Sequence, residues 1–152
     1  MQLLKIYYAY FSPGNTTEKV VSHITSSFQN YPVESINLTD YATRQEDYYF
    51  KENELLIIGV PAYGGRVPAP VVDALRHFTG SNTPVVLVAT YGNRDIDDTL
   101  IELKKNVIDK GFIPVGAASF VCQHTFLKEC AEGRPDEEDL KMAGEFGDKL
   151  KE

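Results

Sequence analysis

Five segments of the chain are predicted as strands, and two of them are apolar almost without interruption. Leu55–Val60 reads Leu-Leu-Ile-Ile-Gly-Val and Val85–Ala89 reads Val-Val-Leu-Val-Ala. Such continuous runs are typical of parallel strands that are buried on both faces of a sheet. The other three predicted strands span Leu3–Phe11, Pro32–Leu38 and Phe112–Val121.

Three further segments carry apolar residues at the spacing of an amphipathic helix, and a fourth is predicted as a helix from its acidic start and its lysines at the end. The predicted helices cover Thr16–Phe28, Pro68–Phe78, Asp95–Lys110 and a last segment that begins at Pro135. Thr16 or Thr17 can cap the first of them. Residues 39–53 predict a connection with about one helical turn, and residues 122–135 an irregular stretch.

This alternation of strands and helices predicts an α/β fold with a doubly wound, five-stranded parallel sheet and helices on both faces. The expected strand order is 2-1-3-4-5, within a single domain over residues 1–152. In such sheets ligands bind at the carboxyl ends of the strands, where the strand order reverses. The loops after the first and third strands would flank that crevice.

Three predicted strands run directly into loops rich in hydroxyl groups, glycine and tyrosine. The candidate binding residues are Ser12, Pro13, Gly14, Asn15, Thr16 and Thr17; Pro61, Ala62, Tyr63, Gly64 and Gly65; and Thr90, Tyr91, Gly92, Asn93 and Arg94. A hydroxyl-rich loop at a helix start suits a phosphate group, although simple helix capping explains it equally well. Two loops that pair tyrosine with glycine suit a flat ring, and the combination predicts flavin mononucleotide (FMN). Arg94 has an alternative interpretation, an ion pair with a neighbouring aspartate.

Charge and cysteine content exclude several other classes of function. The net charge of −7 disfavours nucleic-acid binding, and an acidic surface can steer a basic protein partner. No apolar run reaches the roughly 20 residues that cross a membrane, and the first residues lack the features of a signal peptide, so we expect a cytoplasmic protein. Cys122 and Cys130 are too few for an iron–sulfur cluster, and no metal site or catalytic residue is predicted. The lysine of a nucleotide-binding P-loop is also missing.

Four stretches of the chain resemble the flavodoxin-like family, most closely the flavodoxin domain of ferredoxin-fused flavoproteins. They are Tyr10–Pro13, Gly59–Pro68, Tyr91–Arg94 and Gly133–Leu140, of which the second and fourth are the most specific. The resemblance covers essentially the whole chain. It implies a one-electron carrier that holds FMN non-covalently, with the first loop on the phosphate and the other two on the ring. It also implies redox proteins as partners, with a ferredoxin-type protein as one candidate.

Two departures from the family pattern bear on this interpretation. The family's first loop usually reads Ser-x-Thr-Gly-Asn-Thr, so Asn15 stands at its glycine position, where a positive φ would weaken FMN binding. No ferredoxin half follows, so the sequence is expected to be either a free protein or an excised domain. The main alternative is an FMN-dependent oxidoreductase that acts on a quinone or another small acceptor. A domain that has lost its flavin is a further alternative, whereas a phospho-receiver is disfavoured because Tyr10-Phe11-Ser12 replaces its aspartates.

Overall fold

A computed structural model of the chain describes residues 3–63, 65–92, 98–121 and 134–151. Its main sheet has five parallel strands in the order β2-β1-β4-β6-β7. The strands span Lys5–Tyr10 (β1), Val33–Asn37 (β2), Glu54–Pro61 (β4), Thr83–Tyr91 (β6) and Phe112–Val121 (β7). The predicted parallel α/β architecture is thus confirmed.

A second, two-stranded sheet is formed by β3 (Tyr48–Tyr49) and β5 (Phe78–Thr79), which the sequence did not predict. The predicted order 2-1-3-4-5 counted only the strands of the main sheet and therefore needs correction to the order given above. Phe78 was predicted as the last residue of a helix. It lies instead in β5, where it is paired with Tyr48 and its ring packs against Phe50.

In the described part of the chain, four helices and one 3-10 turn lie between strands, and a fifth helix follows the last strand. They are α1 (Thr16–Thr25) with a 3-10 turn at Ser26–Phe28, α2 (Tyr41–Arg44), α3 (Ala69–Leu75), α4 (Thr99–Asp109) and α5 (Glu137–Leu150). The single turn of α2 lies within the connection predicted to contain one. The predicted start of the third long helix at Asp95 lies outside the described residues, as does the irregular stretch up to residue 133.

The start of α5 explains the sequence motif around residue 134. Asp136 caps the helix by accepting from the Asp139 N–H at 2.9 Å, and the Asp139 carboxylate accepts from the Asp136 N–H at 2.9 Å. The Arg134 guanidinium donates to both oxygens of Asp139. This ion pair lowers the pKa of the Asp139 carboxyl, and the motif therefore fixes the first turn of α5.

Alternate residues of the central strands serve two separate cores. On one face, Leu56, Ile58 and Val60 of β4 pack with residues of α3 and α4. On the other face, Leu55 and Ile57 pack with residues of α1 and α5. The period of two along each strand divides the apolar residues between the two helical layers.

Gly59 of β4 allows α1 to lie unusually close to the sheet. A Cβ atom at this position would overlap the side chain of Val21 and would lie 3.2 Å from Cγ2 of Thr17. Only a residue without a side chain fits beneath the helix here. The start of α1, and with it the first loop, is thereby held over β4.

Candidate functional site

The first predicted loop is a tight turn that leads directly into α1. The Asn15 N–H donates to the Ser12 carbonyl at 3.0 Å. Asn15 has a φ of 65°, in the left-handed region that disfavours residues with a side chain. The loop therefore requires a positive φ at the position where the family pattern has glycine. Asparagine tolerates this conformation better than most residues do.

The capping of α1 differs from the prediction. Asn15 is the N-cap residue, and neither Thr16 nor Thr17 caps the helix. The Ser12 hydroxyl instead accepts from the Glu18 N–H at 3.0 Å. Among the described residues no acceptor meets the N–H groups of Thr16 and Thr17, which leaves two donors at the positive end of the helix.

One residue, Thr90, joins the ends of all three predicted loops. Its hydroxyl shares a 2.7 Å hydrogen bond with the Thr17 hydroxyl, and both side chains are buried. Its carbonyl accepts from the Ala62 N–H at 2.8 Å. The carboxyl ends of β1, β4 and β6 are thus brought together at one edge of the sheet, as the strand order predicts.

The second loop is closed by a short backbone pairing between its described residues. Tyr63 and Arg66 exchange both backbone hydrogen bonds, at 2.9 and 3.0 Å. Gly65 has a φ of 76°, which glycine adopts without strain. The half-buried Tyr63 ring meets the edge of Phe11 with ring centroids 6.2 Å apart. Gly64 lies outside the described residues.

The third loop is described only in part. Thr90 and Tyr91 are the last residues of β6, so the strand runs two residues further than predicted. Tyr91 and Gly92 are half-buried beside the loop end, and Pro61 and Ala62 are half-buried at the end of β4. Asn93 and Arg94 lie outside the described residues, and the predicted roles of these two stay predictions.

Two residues that the sequence analysis did not single out support these loops. Thr39, just after β2, accepts from the Ser12 N–H through its hydroxyl at 2.7 Å. Glu102 of α4 accepts from Arg66 and from the Val67 N–H. Thr39 follows the strand next to β1, which is a weak signal in the sequence. Nothing in the sequence pairs Glu102 with a residue 36 positions away.

The electrostatic environment of the first loop combines opposing contributions. The open N–H groups of α1 favour an anion, but the loop contains no lysine or arginine. Burial raises the pKa of Tyr10, and the negative charge of the neighbouring Glu18 carboxylate raises it further. Glu18 thus places a negative charge in the first turn of α1. A phosphate at this loop would be held by backbone dipoles and hydroxyl groups.

A flavin phosphate nevertheless fits the donors that the loop offers. Pro13, Gly14 and Asn15 are exposed, Thr16 is half-buried, and the two open N–H groups lie beside them. Ser12 and Thr17 are buried and already hydrogen-bonded. Each hydroxyl can still take part in a second hydrogen bond. Among the described residues, no group of three or more His, Cys, Asp or Glu could hold a metal ion.

The described part of the chain has no helix that is long and apolar enough to cross a membrane. No family model matches the sequence, and no curated protein matches it. Comparison with solved structures, however, finds many similar chains.

Three flavodoxins illustrate this structural likeness. One from the domain Archaea has 14% identity and a TM-score of 0.66, with 97% of this chain and 96% of that chain covered. The flavodoxin of Streptococcus pneumoniae TIGR4 has 14% identity and a TM-score of 0.66, covering 97% of both chains. Two-electron reduced Megasphaera elsdenii flavodoxin has 21% identity and a TM-score of 0.58, with 95% of this chain and 98% of that chain covered. At these identities the likeness concerns the fold, and the chain has the flavodoxin-like α/β fold.

Proposed function

We propose that this protein binds FMN non-covalently and carries electrons between redox proteins. The observation that supports this most directly is the set of hydrogen bonds made by Thr90. They bring the first loop, which suits a phosphate, and the second and third loops, which suit a flat ring, to one edge of the sheet. This edge is where ligands bind in open parallel sheets. The flavodoxins among the similar structures agree with the proposal.

In this proposal the first loop holds the phosphate. The N–H groups of Thr16 and Thr17 and the hydroxyl of Thr16 are its direct donors. Ser12 and Thr39 keep the loop in shape through the Ser12 N–H and the Glu18 N–H. Because no basic side chain contributes, the phosphate adds less to affinity than it would in a bidentate pair with arginine.

The ring is held by the second and third loops, over Pro61–Gly65 and Thr90–Arg94. Tyr63 and Tyr91 offer half-buried aromatic surfaces, and Gly64 and Gly65, which have no side chains, would let the backbone approach the ring edge. Bound FMN supplies the electron-accepting chemistry. The residues of this chain bind the cofactor, orient it and limit its contact with water.

The proposed partners are redox proteins, with a ferredoxin-type protein as one candidate. The net charge of −7 would favour encounter with a partner that carries a basic surface. Association should then slow as the salt concentration rises, because ions screen exposed charges.

The visible spectrum of the purified protein tests the cofactor directly. The protein is saturated with FMN, the excess is removed by gel filtration, and the spectrum is compared with that of free FMN. Retained flavin bands at one FMN per chain are expected. A colourless protein that does not quench FMN fluorescence would overturn the proposal.

The electron-carrier role has its own test. Stepwise reduction with a chemical reductant is followed by mixing with an acceptor protein such as a cytochrome. Transfer to the protein acceptor without turnover of NAD(P)H or quinone is expected. Sustained quinone reduction by NAD(P)H would favour the oxidoreductase alternative.

A further inference from the structure

A carboxylate from α4, outside the three predicted loops, holds the turn of the second loop. The two oxygens of Glu102 accept from Nε and Nη2 of Arg66, each at 3.0 Å. Oε1 also accepts from the Val67 N–H at 2.9 Å. Three donors from two consecutive residues therefore converge on one carboxylate, immediately after the turn ends.

The start of the same helix holds the turn one residue earlier. The Asp98 N–H donates to the Gly65 carbonyl at 3.1 Å. On the incoming side, the Ala62 N–H donates to the Thr90 carbonyl at 2.8 Å. The outgoing arm of the turn is thus fixed to α4 and the incoming arm to β6, and Glu102 provides most of the contacts on the outgoing side.

The two partners of the Arg66–Glu102 ion pair differ in their exposure to solvent. The Arg66 side chain is 64% exposed, whereas that of Glu102 is 23% exposed. An ion pair with one well-solvated partner contributes little to stability. The Arg66 contact lowers the pKa of Glu102, so the carboxylate is charged at neutral pH and accepts all three hydrogen bonds. The contacts matter chiefly because they fix the path of the backbone.

We propose that Glu102 is a positioning residue of the flavin site. It fixes the backbone of Arg66 and Val67, and with it the pairing of Arg66 with Tyr63, in the arrangement that receives the ring, and this inference rests on the proposed function. Without the carboxylate the turn samples other conformations. The measured affinity then falls in proportion to the fraction of molecules that remain competent to bind.

The FMN dissociation constants of two single variants separate positioning from charge. Glu102→Ala removes a negative charge and Arg66→Ala a positive one. Since FMN is an anion, a purely electrostatic effect would tighten binding in the first variant and weaken it in the second. Positioning predicts that both variants weaken binding, each about tenfold if one molecule in ten keeps the turn. The double variant should be no weaker than the worse single variant, because both act through one contact.

Glu145→Ala provides the matched control. It makes the same substitution at an exposed position of α5, where the carboxylate is remote from the turn, and should leave the FMN dissociation constant unchanged. Alanine is a strong helix former, so neither helical variant is expected to weaken its helix. Opposite shifts for Glu102→Ala and Arg66→Ala, or no shift in either, would overturn the positioning role.

Amide hydrogen exchange of the flavin-free protein tests the contact between Glu102 and the Val67 N–H without any cofactor. The Val67 amide should exchange at least about tenfold faster in Glu102→Ala than in the wild type, since it loses a hydrogen bond to a charged acceptor. Glu145→Ala should leave this rate unchanged. Equal exchange rates of the Val67 amide in the wild type and in Glu102→Ala would show that Glu102 does not hold the backbone of the second loop.

The two experiments also distinguish the inference from the proposed function. If the wild type fails to bind FMN, both the proposed function and the role of Glu102 in it are wrong, even where Val67 exchange changes. If the wild type binds FMN and the variants bind it equally well, only the inference is wrong. Should Glu102→Ala fail to fold, Glu102→Gln takes its place in both measurements, since it removes the same negative charge and weakens the same three hydrogen bonds.

Discussion

The first and second loops solve the same problem, a reversal of the chain at a strand end, with different chemistry. The first turns through Asn15 at a φ of 65° and is supported by the neutral hydroxyls of Ser12 and Thr39. The second turns through Gly65 at a φ of 76° and is supported by the charged Glu102. The first loop therefore has a strained backbone and neutral supporting groups. The second loop has an unstrained backbone and a charged supporting group.

This difference teaches where each loop is vulnerable. Hydroxyl supports are indifferent to pH and salt, so the first loop should respond mainly to changes in shape. A carboxylate support loses its charge when it is protonated and one of its oxygens becomes a donor, so the second loop should respond to acid. The following predictions break or sharpen this contrast, beginning with the largest effect.

The largest loss of stability is expected from substitution of Gly59, which lies beneath the helix that follows the first loop. Gly59→Ala places a Cβ against Val21 beneath α1. Because the core cannot expand freely, we expect a loss of about 2 kcal/mol in the free energy of unfolding. Urea denaturation measures it.

Gly144→Ala is the control for the Gly59 substitution. A Cβ there meets nothing within 4 Å, so this helical glycine should accept alanine with a gain of about 0.5 to 1 kcal/mol. Equal effects of the two substitutions would contradict the close contact at Gly59.

Thr17→Val should weaken the joint between the first and third loops. It keeps the shape of the side chain but leaves the buried Thr90 hydroxyl without its partner. A loss of about 1 to 3 kcal/mol is expected from an unsatisfied buried hydroxyl, measured by urea denaturation. The double variant with Thr90→Val should be less destabilised than the sum of the two single variants. Strict additivity would argue against the hydrogen bond.

Substitutions at Asn15 measure the strain in the first loop. Asn15→Ala should cost about 1 kcal/mol, because alanine lacks the tolerance of asparagine for the left-handed conformation. Asn15→Gly should be at least as stable as the wild type and should bind FMN more tightly. Calorimetric unfolding and fluorescence titration check both. Identical stability of all three proteins would show that φ is not the limiting factor.

The acid response should come from the second loop. The pKa of Glu102 is lowered from its ordinary value of 4.5, chiefly by the Arg66 hydrogen bond. A carboxyl with a lowered folded-state pKa stabilises the protein above its unfolded-state pKa, and that contribution is lost as the pH falls below about 4.5.

Thermal unfolding between about pH 6 and pH 3 should therefore differ between the wild type and Glu102→Ala. The stability difference between them should shrink as the pH falls. Asn15→Ala should show a difference from the wild type that is independent of pH. The reverse result would remove the contrast between the two loops.

Much of the fold could be predicted because buried parallel strands are continuously apolar. Leu55–Val60 and Val85–Ala89 lie within β4 and β6, and the ends were missed by one or two residues. The two-residue strands β3 and β5 could not be predicted, since two residues show no periodicity. Phe78 continues the helical spacing of the apolar residues of α3. It lies in β5 instead, where its ring packs against those of Tyr48 and Phe50.

The meeting of the three loops could be predicted from the sequence, but the contacts between their residues could not. The strand order implied that the three loops meet, and Thr90 joins them. The direction of each hydroxyl was not predictable, so Ser12 and Thr17, expected as ligand donors, prove to be buried and hydrogen-bonded within the protein. Glu102 was missed because its partner is 36 positions away along the chain.

The hydroxyl pair of Thr17 and Thr90 has a consequence for how the site can adapt. Either oxygen can donate in this bond, so the pair uses one of its two hydroxyl hydrogens and keeps the other in reserve. Reversing the bond moves the reserved hydrogen from the helix to the strand while both oxygen atoms stay in place. The joint of the three loops can therefore present its free hydroxyl hydrogen from either threonine without any movement of the two oxygen atoms.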